Sequence, residues 1–165
     1  MAYYSKNLRR TIVSFHVIFS ALWAGAALSM IILMFTKNPQ NASELLAYNR
    51  ANKLIDDWII IGSATGSFLS GFLLSWKTPW GFFKHWWVVV KLVLMIILIF
   101  LGSFWLGKWI NGSVDMVEEQ GLNVYTNRKY LDYQVLSKFW GSLQLCVLIF
   151  LFFISVFKPW KKIKN

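Results

Sequence analysis

The sequence predicts an all-α protein, a bundle of four transmembrane helices with both termini cytoplasmic and short helical loops on the opposite side. Three observations predict it. Of 165 residues, 57% are hydrophobic and 15% charged, with 14 Phe and 10 Trp; a soluble domain of this length cannot hide that much apolar surface. The apolar residues gather into four runs of roughly 20 residues, the length a bilayer requires. Basic residues flank those runs, as they do where helices are anchored to anionic headgroups.

The helices are expected at about 11–35, 58–76, 86–110 and 136–157, within one integral membrane domain covering 1–165. The first run, Ile12 to Phe35, contains a single ionisable residue, His16. Arg9, Arg10 and the small residues Ala24-Gly25-Ala26 imitate a signal peptide. The run continues to Phe35, however, and that length fits a retained anchor. The segment "NASELLAYNRANKLIDDW" is expected to form a helix capped by Ser43 and leading into the second run. That run, Trp58 to Trp76, has no ionisable residue. It is rich in Gly62, Ser63, Gly66, Ser67, Ser70 and Gly71, which let another backbone come close. "WKTPWGFFKHWW" reads as a tight hairpin, with Trp76, Trp80, Trp86 and Trp87 in an inner aromatic belt; Trp58, Trp105, Trp109 and Trp140 mark an outer one. The third run, Trp86 to Ile110, contains Lys91 and, near its end, Lys108. Gly112 and Gly121 are expected to break the following segment into a short helix and a loop. Cys146, in the fourth run, reads as a small packing residue.

Four crossings leave both ends on one side. The termini and the hairpin carry Lys6, Arg9, Arg10, Lys77, Lys84, Lys158, Lys161, Lys162 and Lys164, nine basic residues against seven in the other two loops. The nine lie in the shorter segments, so they mark the cytoplasmic side. The net charge of +10 follows from this anchoring. No basic groove interleaved with aromatics lies outside the helices, which argues against nucleic acid.

Two ionisable residues need a reason to be in lipid. His16 and Lys91 each lie about five residues inside their runs, which at about 1.5 Å per residue puts both some 7 Å deep. Two readings are open. Lysine can snorkel and a neutral histidine can bond to a neighbouring helix. Alternatively, the two share a site with Ser20 and Trp23 on the first helix and Met95, Leu98 and Gly102 on the third. Imidazole ligates haem iron or copper, and an ammonium can face an anionic group. His85 is a second candidate ligand.

"FHVIFSALWAGAAL" resembles the first helix of the superfamily containing HemJ-type protoporphyrinogen oxidases and CopD-type copper-resistance membrane proteins: a histidine, six residues, a tryptophan and a small pair, here His16, Trp23, Ala24 and Gly25. "HWWVVVKLVLMIILIF" is similar to the HemJ-type helix in which an aromatic precedes a lysine, here Trp87 and Lys91. "TPWGFFKHWWVVVK" resembles the second loop of the uncharacterised small bacterial membrane proteins of this group. The resemblance implies a multi-pass protein of the bacterial cytoplasmic membrane, with His16, Lys91 and Trp23 as cofactor-binding residues and haem b as the cofactor. The HemJ arginine after the small residues of the first helix, where "SMIILMF" stands, and the histidine following the apolar stretch of the lysine helix have no counterpart here, and no Met/His-rich outer segment gathers copper.

Two function classes remain. One is a haem- or metal-associated redox bundle; the other is a non-enzymatic accessory subunit in lipid, packed against a membrane-protein partner or a second copy of itself. A transporter is a poorer fit, because no carboxylate lies within the four runs. Hydrolase and phosphate-loop motifs are absent, so no catalytic residue is assigned.

Overall fold

Each apolar run is part of a helix that extends past it. The computed structural model describes residues 3–160 and 163, and its regular elements are all helical. Helix α1 (Lys6–Thr36) starts some residues before the expected boundary, because the Ser5 hydroxyl accepts a hydrogen bond from Leu8 N at 3.3 Å and caps it there. Helix α2 (Ala42–Leu54), a π-helical segment (Ile55–Ile60) and helix α3 (Ile61–Trp76) run on without a break. So do α4 (Trp86–Leu101), a second π-helical segment (Gly102–Leu106) and α5 (Gly107–Gln120), after which the chain turns at Gly121 into a 3-10 segment (Gly121–Thr126). Helix α6 (Arg128–Phe157) completes the bundle. These make four helices long and apolar enough to cross a membrane.

The continuous helices have 30 to 41 residues, or about 45–60 Å against a hydrocarbon core of about 30 Å. The surplus forms a second layer. There Leu45, Met116, Val117, Val124 and Tyr130 form a small core of their own, separate from the main one. Arg50 reaches Glu118 at 2.8 Å across its surface.

Several expectations change here. Asn41, not Ser43, caps α2: its side-chain oxygen accepts from Glu44 N at 2.9 Å. Gly112 does not break α5. It makes room for Tyr133, whose ring would lie 2.7 Å from a Cβ at that position. Gly121 does end the helix, with φ of 57°. Trp109 is buried and not part of an interfacial belt, and Trp87 turns inward too. Cys146 faces outward. Lys161, Lys162 and Lys164 lie outside the described residues.

The main core follows one stripe of α1, namely Trp23, Ala26, Ala27, Met30 and Met34, at the three- and four-residue spacing that keeps side chains on one face. Its closest partner is α3, whose buried Ser63, Ser67 and Ser70 form the seam. Ser63 and Ser70 bond to the carbonyls of Ile59 at 2.5 Å and Gly66 at 2.6 Å on their own helix, so their hydroxyls need no water. Gly66 meets the Phe19 ring, whereas Gly62 has open space beside it; only half of the Gly-x-x-x-Gly pair packs.

Both chain ends meet the hairpin between α3 and α4. Tyr4 N donates to Lys77 O at 3.2 Å, and Ile163 N donates to Lys84 O at 3.0 Å. The α3–α4 hairpin turns at Pro79 and at Gly81, whose φ is 60°. Helix α6 ends with Lys158 in the left-handed region, φ 47°, just before Pro159.

Candidate functional site

Toward the hairpin end, α1, α3, α4 and α6 surround a cavity of about 470 Å3. It falls within the ~300–1,000 Å3 typical of small-molecule sites. His16, Lys91 and Trp23 all line it. Met95 and Ser20 line it as well, whereas Leu98, Gly102 and His85 do not. His85 is engaged locally: its Nδ1 lies 2.9 Å from Trp80 O and donates to it.

The hydrogen bonds of His16 fix its tautomer. Nδ1 lies 3.0 Å from Ser67 O and 3.1 Å from Ser70 Oγ. A carbonyl oxygen only accepts, so Nδ1 must carry a proton. Ser70 commits its own proton to Gly66 O at 2.6 Å, so its oxygen also accepts from Nδ1. The neutral ring therefore has its lone pair on Nε2. Orientation of one ring nitrogen by a backbone carbonyl is the arrangement that prepares the other for a metal. Gly71 makes this pose achievable, because a Cβ there would lie 3.1 Å from His16 Cε1.

Lys91 is on the cavity wall, half-buried. Its Nζ donates to Ser155 Oγ at 2.5 Å. Ser155 in turn donates to Leu151 O at 2.6 Å, so its oxygen is the acceptor. An ammonium has three donors; one is used by Ser155. Lys158 lines the same cavity, with Nζ 5.4 Å from the Trp80 ring centre and 5.6 Å from that of Trp87. Those two rings meet edge to face at 6.0 Å. No carboxylate is among the lining residues, so the wall carries two ammonium groups and no anion.

Trp23 is 1% exposed, and its Nε1 has no hydrogen-bond partner among the described residues. Ser20 Oγ lies 2.8 Å from Ser67 Oγ and ties α1 to α3 beside His16. Ser20 was expected at the site; Ser67, Ser70, Ser155 and Lys158 were not legible as site residues. Ser67 and Ser70 read as packing residues, Lys158 as a headgroup anchor, and Ser155 carried no signal at all.

Among the described residues, no three His, Cys, Asp or Glu side chains converge as a metal cluster. A bare ion in this cavity would have one imidazole and the thioether of Met95. Haem brings its own equatorial nitrogens and needs only axial ligands. The donor set therefore fits haem better than an isolated metal ion.

No curated protein and no solved structure matches the chain. A family model described as "Predicted integral membrane protein (DUF2269)" matches residues 10–159. That range includes every lining residue of the cavity. The chain belongs to this family of predicted integral membrane proteins, DUF2269.

Proposed function

We propose that this protein binds haem b within the bundle and serves a redox or haem-related role in the membrane. The observation that carries this reading is the fixed tautomer of His16, which gives Nε2 a lone pair in a cavity with largely apolar walls. In this assignment His16 would hold the haem iron through Nε2, Lys91 and Lys158 would balance the charge of the propionates, and Trp23 and Met95 would line the space the ring occupies; all five line the cavity. When bound, haem supplies one-electron iron chemistry. The chain's own part is to hold the ring, balance its charge and exclude water. The resemblance of the first helix to HemJ- and CopD-type proteins supports the same role for His16.

The reading puts the protein in a bacterial cytoplasmic membrane with its termini inside. Support comes from the nine-to-seven balance of basic residues. The test is the visible spectrum of protein purified from haem-supplied cells. A Soret band that His16→Ala abolishes supports the assignment. A colourless wild-type protein that also fails to take up added haem rejects it and favours an accessory subunit.

A further inference from the structure

A second cavity, of about 40 Å3, lies in the outer half of the bundle. It is independent of the His16 site and shares no lining residue with it. Its polar wall consists of Asp56, Ser137 and Gln144. Met30, Leu106 and Ile110 supply part of its apolar wall.

Both π-helical segments meet here. Gly107 N–H bonds to Gly102 O, and Ile61 N–H bonds to Asp56 O, each one residue further back than in an α-helix. Such widened turns recur at functional sites. Here one of them carries Asp56 and the other Gly102. Asp56 Oδ2 comes close to the start of α5, 3.8 Å from where a Cβ at Gly107 would lie. The sequence places Asp56 just before the second apolar run, at the end of the helix expected to lead into it. The continuous helix brings its carboxyl between α1, α6 and the α4–α5 junction.

The polar groups are short of partners. Ser137 is 3% exposed, and its Oγ has no hydrogen-bond partner among the described residues. Gln144, 5% exposed, brings an amide to the start of the apolar half of α6. Lys53, the basic residue one turn before Asp57, is already engaged: its Nζ bonds to Asp57 Oδ2 at 2.8 Å and to Asn111 Oδ1. Asp56 has no ion pair among the described residues.

A carboxylate, a hydroxyl and an amide carbonyl are hard oxygen donors, and hard cations take such ligands. One carboxylate balances one positive charge. A half-buried acid without an ion pair is costly unless something neutralises it. The volume exceeds the ~10–15 Å3 that one water-sized occupant needs and excludes anything much larger than an ion with its water. We propose that Asp56, Ser137 and Gln144 bind a small monovalent cation of the sodium class between the outer halves of the helices.

The test uses the full-length protein in detergent, with sodium chloride exchanged for choline chloride at constant ionic strength. Sodium raises the unfolding midpoint saturably, by roughly 5–10 °C at a hundredfold excess over its dissociation constant. Asp56→Asn abolishes that response, and Ser137→Ala shifts its half-saturation several-fold higher. Saturable retention of radiolabelled sodium by the wild-type protein tests the site without relying on any variant's folding. Equal midpoints in the two salts and no saturable retention overturn the proposal and leave water as the occupant. A midpoint that follows pH but not sodium overturns it in favour of a proton. His16→Ala retains the sodium response, so failure of the haem reading and failure of this one are separable.

Discussion

At the scale of single residues, position along a helix proved a poor guide to cost. Lys91 lies where lysine could snorkel, yet its ammonium is turned to Ser155 across the cavity. Lys91→Met is therefore expected to keep the fold, with a thermal midpoint in detergent equal to or above wild type, since an ammonium in lipid is costly. On the proposed haem assignment, Lys91→Met would also lower haem affinity about tenfold, the scale seen when a supporting group near a metal ligand is lost. Absorbance titration with haem checks this; an unchanged affinity would show that Lys91 does not face the ligand. Lys37 offers a second case, at the end of α1. Burial, and then the like charge of Lys138, pull its ammonium from 10.5 down to about 8. Its Nζ donates to Gln134 Oε1 at 2.6 Å. Below pH 8 the folded and unfolded states are both protonated, and the cost of burying the charge is fully present. Between pH 8 and 10.5 the folded state releases the proton first, so this group's contribution to stability rises with pH. The wild-type stability should therefore gain on that of Lys37→Met between pH 7 and pH 9.5. Chemical denaturation at both values measures it, and a constant difference would rule the effect out.

At the scale of helices, small residues matter only where something leans on them. Gly62 and Gly66 look equivalent in sequence, but Gly66 faces the Phe19 ring at 2.7 Å from an added Cβ and Gly62 faces nothing within 4 Å. Gly66→Leu is expected to destabilise the α1–α3 pair by about 1–3 kcal/mol, the usual cost of overpacking. Gly62→Leu should leave the midpoint within error. Thermal unfolding of the two variants side by side decides it; equal effects would mean that the seam runs elsewhere. The capping residues teach a similar lesson. Ser43 and Asn41 are both good N-caps by type, and the choice fell to Asn41 because its side chain also holds Glu44, with Nδ2 to Oε1 at 3.0 Å.

At the scale of the whole molecule, the two chain ends and the α3–α4 hairpin lie together, held by Tyr4–Lys77 and Lys84–Ile163 backbone bonds. The opposite end is a layer of helix extensions around Leu45, Val124 and Tyr130. A reporter active only in the cytoplasm is expected to work when fused after Asn165 and to fail when inserted near Gly121. The reverse pattern would invert the orientation of both cavities, putting the His16 site on the outer side.

The sequence by itself determined the helical class and the four helices long and apolar enough to cross a membrane. These depend on run length and residue type, which lipid reads directly because it cannot hydrate a backbone or a charge. It also indicated that His16, Trp23 and Lys91 belong together, through helical spacing and a family pattern. Only the tertiary structure decided the rest. The tautomer of His16 depends on Ser67 and Ser70, some 50 positions away in the chain. Asp56 lines the second cavity from within one of two π-helical segments, whose widened turns leave no mark in hydrophobic periodicity. Inside a bilayer every helix is apolar nearly all round, so periodicity cannot say which side meets a neighbour; close packing and hydrogen bonds between particular side chains do.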